Sequence, residues 1–209
     1  MPCLAIHLAV AKEYLKRHPE KYVSEQDCED FLLGSIAPDV GAENINELVN
    51  GLEETTKETD SGAIGLRKNN RHFGLNFQTD DMIEYMKKKV DFHNFFRWNP
   101  NIDTPFLEAY FLHLLCDYYF FGEYITSDKI QNLPFEQVAK MGYNDYDLIT
   151  PILIEKYHLA IPSQIKDIMS RKGEGNLQII DESTVDLFID EMSRLDLKEE
   201  QKKVLGKSY

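Results

Sequence analysis

Five side chains in this sequence carry the donor atoms of a metal centre: His7, Asp39, His72, His113 and Asp117. The sharpest signal is the pair His113 and Asp117, four residues apart in YFLHLLCDYYFF, the run from Tyr110 to Phe121. On a helix that spacing sets the imidazole and the carboxylate on one face, one turn apart. From Phe106 to Phe121 the run is apolar on nearly every side, with Glu108, His113 and Asp117 the exceptions, which is the pattern of a helix buried inside a domain. An ionised carboxylate there is costly unless it is paired or bound to a metal. Chance alone sets some His four residues from some Asp, but the burial of Asp117 has no equally simple structural cause.

The other three residues are each ambiguous alone. His7 shares a helical face with Leu4, Leu8, Ala11 and Leu15, where it reads as a satisfied core histidine or as a ligand. Asp39 follows Pro38 just past the expected end of a helix, as a local cap or as a carboxylate aimed into a cleft. His72, between Arg71 and Phe73, could be a surface residue, a cap or a ligand. Together the five supply imidazole and carboxylate from four separate segments. That is the composition of a hydrolytic zinc centre, since Zn²⁺ takes N and O ligands at about 2.0–2.2 Å. Asp117 could bridge two ions, and two ions about 3.5–4 Å apart can clamp the attacking and leaving oxygens of a phosphoester. Asp39 and Asp117 are the candidate catalytic groups, as proton acceptors. His93 reads instead as a helix-end residue and Cys116 as a small core residue.

The elements that must position these groups are helical. A first helix is expected over Leu4 to Arg17, and a second opens with Ser24 and Asp27 in capping-box spacing and stops near Gly34. Residues 41–70 are acidic and rich in Thr, Asn and Gly; beyond a short helix near Ile45 to Leu52 they read as a long surface loop, mobile and covering the site. Thr79 caps a helix from Asp80 to about Phe96, and Asn99-Pro100-Asn101 breaks the chain before the central helix. That helix starts at Thr104-Pro105 and ends near Gly122. Further helices are expected near Pro134 to Lys140, Tyr146 to His158, Pro162 to Arg171, Ser183 to Leu195 and Lys198 to Leu205, with a turn at Lys172 to Asn176. No strand signal is sustained. The expected fold is all-α: a single-domain multi-helix bundle over residues 1–209 around a buried central helix at about 104–121.

Composition narrows the function classes. The 209 residues are 43% hydrophobic, enough for one well-filled core. A formal charge of −13, from 36 acidic against 23 basic residues, argues against nucleic-acid backbones and anionic lipid surfaces as partners. The short basic clusters Lys87-Lys88-Lys89 and Lys202-Lys203 read as solvated helix faces. Cys3, Cys28 and Cys116 are odd in number, without a C-x-x-C pair, which fits a reducing compartment. No apolar stretch reaches the roughly 20 residues that span a bilayer, and no basic region precedes an apolar run at the start. The expectation is a cytoplasmic protein. There is no phosphate-cradling Gly loop and no G-x-S-x-G elbow.

Four pieces of the sequence resemble the zinc-dependent phospholipase C family, whose wider fold includes the fungal single-strand nucleases. They are the helical His of CLAIHLAVA, the Gly-x-x-x-Pro-Asp of FLLGSIAPDV, the His-Phe pair of RHFGLNF and the His-x-x-x-Asp of FLHLLCDYYFF, in the family's order over residues 1 to about 125. The resemblance implies a helical domain in which Asp39, His72, His113 and Asp117 hold one metal while Asp117 and His7 contact a second. The chain departs from the family downstream. Secreted members hold a third metal through a His-x-x-x-Glu arrangement, whereas His158 here is followed four residues later by Pro162. Glu123 or Asp128 is the alternative downstream contributor. Those relatives also use a mature N-terminal Trp, and the single Trp here is Trp98; after removal of Met1, the Pro2 amine would lie one helical turn from His7.

Three functions compete on this reading. The first is a phosphoester hydrolase with one or two zinc or other divalent transition-metal ions, acting on a small phosphoester. The second is an HD-type metal phosphohydrolase, disfavoured because the adjacent His-Asp pair is absent. The third is an interaction or sensor module that retains a structural metal without catalysis.

Overall fold

The structure, a computed structural model, describes residues 3–39, 71–74, 82–120, 122, 130, 132–160, 169 and 172–206. In chain order the described residues form α1 (Leu4–Arg17), α2 (Glu25–Ile36), α3 (Met82–Lys89), α4 (Phe92–Trp98), α5 (Pro105–Tyr119), α6 (Phe135–Tyr157), α7 (Glu182–Met192) and α8 (Leu197–Gly206). The fold is all-α; among these residues the only sheet-like pairing is an isolated antiparallel bridge between Phe73 and Val90. No helix among them is long and apolar enough to cross a membrane. The residues 41–70, the Thr79 cap and, apart from Met169, the helix expected over Pro162 to Arg171 lie outside the described residues.

The central helix forms where the sequence puts it. The Thr104 hydroxyl accepts from the Leu107 N–H at 3.2 Å, and Pro105 takes the first helical position at no loss of a donor. Every residue from Ala109 to Asp117 is buried, so α5 has no solvent face over two turns. The most extensive pairing is with α2, which opens with the Ser24–Asp27 capping box. This helix runs through Gly34 to Ile36 instead of stopping there. Gly34 serves an approach rather than an end: a Cβ built on it would lie 2.2 Å from the Phe106 carbonyl oxygen, so only glycine lets the two backbones meet.

Between Met82 and Trp98 one expected helix is two. The chain leaves helical conformation at Val90 to pair with Phe73, with Gly74 N–H donating to Lys89 O at 2.9 Å and Asp91 N–H to His72 O at 3.1 Å. Asp91 then caps α4 by accepting from Asn94 N–H at 2.9 Å. His93 consequently falls in the first turn of α4, exposed, and not at a helix C-terminus. The same break clamps the segment that carries His72.

The two helices expected around Pro134 to His158 are a single helix of 23 residues with Pro151 inside it, ended by His158 in the left-handed region (φ 49°). Gly142, which falls between the two expected helices, is buried in mid-helix facing the Ile179 side chain. Asp145 is buried on this helix and accepts the backbone N–H groups of Gln178, Ile179 and Ile180 at 2.8–3.1 Å, tying α6 to the strand of chain before α7. Asp181 caps α7 by accepting from the Thr184 N–H at 2.8 Å. Helix α1 packs on α2, α5, α6 and α7. It runs parallel to α6: Cys3 meets Thr150 at one end, and Lys12 donates to the His158 carbonyl at the other. Phe31, Phe95, Phe111, Phe120 and Phe188 fill one continuous core with the aliphatic residues of these helices.

Candidate metal centre

Four segments bring the five donors together. His7 projects from the second turn of α1 and is buried; His113 and Asp117 project from α5; Asp39 stands in the turn after α2; His72 sits in the clamped segment 71–74. Asp39 is the one donor of the five not wholly buried by residue, although its carboxylate is only 5% exposed. His72 Nε2 lies 3.2 Å from His113 Nε2, 2.9 Å from Asp117 Oδ2 and 3.8 Å from Asp39 Oδ1. His7 Nε2 lies 3.4 Å from Asp117 Oδ1 and 3.8 Å from Asp39 Oδ2. His113 Nε2 lies 3.8 Å from Asp117 Oδ2.

These separations suit a shared cation. Four ligands at about 2.0–2.1 Å from a tetrahedral ion stand roughly 3.3 Å from one another, which is the scale of the spacings within the cluster. Both His7 ring nitrogens and both Asp117 oxygens are buried and, among the described residues, meet no hydrogen bond of acceptable direction, despite the short approaches. Buried polar atoms are otherwise almost always paired, so atoms that converge without bonding one another point to a common missing partner. Two triads have donor atoms within 4.8 Å of one another: His7, His113 and Asp117, and Asp39, His72 and His113.

The tutoring of His113 is explicit. Its Nδ1 donates to the Ser35 carbonyl at 2.7 Å. That carbonyl is available because it falls in the last turn of α2, where oxygens run out of intrahelical donors. The tautomer follows: Nδ1 carries the proton and Nε2 presents a lone pair to the centre. His113 can therefore serve a single ion. Its ring stacks on that of His7, centroids 3.7 Å apart and planes 15° apart. Burial, then the neighbouring His7, pushes the His113 imidazole well below its ordinary pKa, so it stays neutral. Burial alone would raise Asp117; the His113 and His72 imidazoles, with His7, more than reverse this and hold its carboxyl well below the usual range. A neutral imidazole beside an ionised carboxylate is the protonation state a metal ligand set requires.

His72 is held from behind. The Tyr110 hydroxyl, one turn before His113 on α5, donates to the Arg71 carbonyl at 2.6 Å. Phe73 on the other side adopts φ 65°, a strained value for an aromatic residue, and packs edge-on against Phe95 and Tyr110. Such strain persists only where surrounding contacts over-determine it, here at the residue following a candidate ligand.

All five residues singled out in the sequence therefore meet. The others stay apart: His93 is exposed on α4, His158 closes the far end of α6, and Trp98 is exposed at the end of α4. Cys116 is buried on α5, its thiol pushed well up by burial, so it remains protonated core. Pro2, Glu123 and Asp128 lie outside the described residues. Sequence reasoning missed Ser35, which acts through its backbone, and Tyr110, which was signalled only by sharing a face with His113 at a spacing of three.

Fold and site define an all-α protein with a buried cluster of three histidines and two aspartates that could hold a metal. Comparison of the chain with known families, known proteins and solved structures returns no match, so the reading of the centre rests on its own residues.

Proposed function

We propose that this protein is a metal-dependent phosphoester hydrolase whose centre is held by His7, Asp39, His72, His113 and Asp117, with zinc the favoured ion. The observation that carries the reading is the convergence of nitrogen and carboxylate oxygen donors from four segments, with the Asp117 oxygens and His7 ring nitrogens making no well-directed hydrogen bond among the described residues. The donor set contains no thiolate, whereas structural zinc sites are built mainly from Cys; sites of His and carboxylate are those of hydrolytic enzymes. The order of the motifs, which resembles that of the zinc-dependent phospholipase C family, supports phosphoesters as substrate.

Bound there, an ion would supply Lewis acidity, lowering the pKa of a water and offsetting charge on phosphoryl oxygens. The chain's own contribution is position and proton transfer. His113, locked by Ser35, and His72, locked through Arg71 and Asp91, fix the ligand frame before any substrate arrives. Asp117 remains ionised at the base of the centre. Asp39, the donor nearest solvent, is the carboxylate placed to accept a proton from an approaching water.

A second reading is favoured by one observation, the near-complete burial of the other four donors: a structural ion in a binding module. One mutant separates the two. Protein purified without chelator is expected to contain one or two equivalents of transition metal and to hydrolyse a generic phosphomonoester or phosphodiester. Asp117→Asn, which keeps the volume and removes the buried charge, is expected to abolish hydrolysis while remaining folded. A parent with metal but no activity across a panel of phosphoesters, paired with a mutant of sharply lower Tm, would establish the structural ion instead. Absence of metal and of metal uptake would remove both readings.

A further inference from the structure

The rings of His7 and His113 stack with centroids 3.7 Å apart and planes 15° apart. An imidazole nitrogen offers its lone pair in the plane of its ring, so two nearly parallel rings at that separation cannot aim both lone pairs at one ion. An ion lying in the plane of His113 would stand well off the plane of His7. Proximity alone groups these two histidines in one triad; their orientation separates them. Asp117 meets both, one oxygen to each side. Its Oδ1 lies 3.4 Å from His7 Nε2, while Oδ2 lies 3.8 Å from His113 Nε2 and 2.9 Å from His72 Nε2. The stacking distance is itself the scale at which paired ions stand, about 3.5–4 Å.

Each side of the stack then has its own donors. His113 has only Nε2 to offer, since Nδ1 donates to the Ser35 carbonyl. With His72 Nε2 and Asp117 Oδ2 it makes a triangle with sides of 2.9, 3.2 and 3.8 Å, close to the footprint of three ligands on a tetrahedral ion, roughly 3.3 Å apart. On the side of His7 stand Asp117 Oδ1 and, 3.8 Å from the imidazole, Asp39 Oδ2. Without Asp39 that side would have two protein ligands, below the three that hold a catalytic zinc. We propose that the centre is a pair of three-ligand sites sharing Asp117, and that Asp39 serves the His7 site through Oδ2. The resemblance drawn from the sequence places Asp39 with His72 and His113, so this assignment departs from the family pattern. Asp39 Oδ1, 3.8 Å from His72 Nε2, is then the oxygen that accepts a proton in the hydrolytic reading. The proposal rests on that reading of the cluster as a metal centre and deepens it: there are two ions, and the second depends on Asp39.

The test uses full-length protein freed of metal and titrated with zinc, then with cobalt(II) as a spectroscopic substitute. The variants are His7→Phe, which keeps a ring in the stack without a donor, and Asp39→Asn, which keeps the volume. The parent is expected to bind two equivalents and, with cobalt, to show magnetic coupling between them. Each variant is expected to keep one ion at near-parental affinity, to bind the second about 100-fold or more weakly, beyond the usual effect of disturbing a ligand's support, and to lose the coupling. A single equivalent in the parent would overturn the proposal and leave a one-ion hydrolase standing. Two undiminished equivalents in Asp39→Asn would remove Asp39 from the ligands, and a weakened first ion in Asp39→Asn but not in His7→Phe would return it to the His72 and His113 side; either result overturns the assignment. A parent that takes up no metal would overturn the hydrolase reading as well. Should Asp39→Asn fail to fold, Asp39→Ala, which removes the ligand oxygens and the amide together, carries the same expectations.

Discussion

The contact between α2 and α5 offers the most direct way to perturb the centre without touching a ligand. In Gly34→Ala the new Cβ would lie 2.2 Å from the Phe106 carbonyl oxygen and 2.9 Å from its carbon, both backbone atoms of the opening turn of α5. Neither can rotate away, so the helices must part by about 1 Å to restore ordinary contact. Overpacking against backbone costs about 3 kcal/mol at the upper end of its usual range. The separation also stretches the 2.7 Å bond between His113 Nδ1 and the Ser35 carbonyl, one residue along, beyond hydrogen-bond length. That adds about 1 kcal/mol, while alanine returns about 1 kcal/mol of helix propensity. The net expectation is a loss of about 3 kcal/mol in urea or guanidinium unfolding. Zinc affinity should fall about 10- to 100-fold, the usual effect of disturbing a partner of a ligand. Gly142→Ala is the internal control. Among the described residues the Cβ there meets only the flexible Ile179 side chain at 3.3 Å, so stability should stay within about 0.5 kcal/mol of the parent or rise by up to the propensity gain of about 1 kcal/mol. Equal stabilities for the two variants would refute the close approach at Gly34 and with it the argument for how α2 holds His113.

Tyr110→Phe removes the 2.6 Å bond to the Arg71 carbonyl that braces His72; it should cost about 1 kcal/mol of stability and weaken zinc binding about tenfold, and unchanged zinc affinity would remove Tyr110 from the support of the site. Asp196 precedes α8, and its carboxylate accepts the Lys198 and Glu199 N–H groups at 3.0 and 3.3 Å, bonds that, Glu199 first, lower its pKa. A depressed pKa contributes stability that is present above the unfolded value of about 3.9 and is lost as pH falls through the folded value. Asp196→Ala should therefore cost about 1 kcal/mol at neutral pH, and its difference from the parent should shrink as pH falls below the unfolded value of about 3.9 and through the folded one; a difference that stays constant on acidification would show that the side chain acts through something other than its charge.

Much of the arrangement was legible because burial and helical spacing leave few alternatives. An apolar run as continuous as Tyr110 to Phe121 has to be an interior helix, and a His and Asp four apart on it have to share a face. The same rules misread Gly34 and Gly142. Glycine was taken as a helix end in the first case and Gly142 fell between two expected helices in the second, because local propensity carries no information about which backbone or side chain will pack alongside. The break at Val90 was equally hidden: Asp91 is an ordinary cap candidate, but the helix stops there only because Phe73, 17 residues earlier in the chain, pairs with Val90. Backbone partners leave no mark in a sequence at all. Any residue at position 35 offers a carbonyl, so the group that fixes the His113 tautomer could not be found by residue type.

The surroundings of α5 also account for why its polar pair is confined to two positions. Over two turns the helix meets protein on every side, so each charge added to it must be answered by groups from other segments. His113 and Asp117 are answered by α1 through His7, by the end of α2 through the Ser35 carbonyl and Asp39, and by the clamped segment through His72. Those answers are incomplete among the described residues, since the Asp117 oxygens and the His7 nitrogens lie close to one another without a well-directed hydrogen bond. A core this well filled with aromatic side chains would tolerate leucine at position 117 with less desolvation cost. Retaining a carboxylate there instead makes the metal-free state strained in a way that a bound cation relieves, so binding energy and folding energy meet at the same residue. Stability gained on loading with zinc should then depend on Asp117: Asp117→Asn is expected to remove most of the rise in Tm that zinc gives the parent, and an undiminished rise would refute the link.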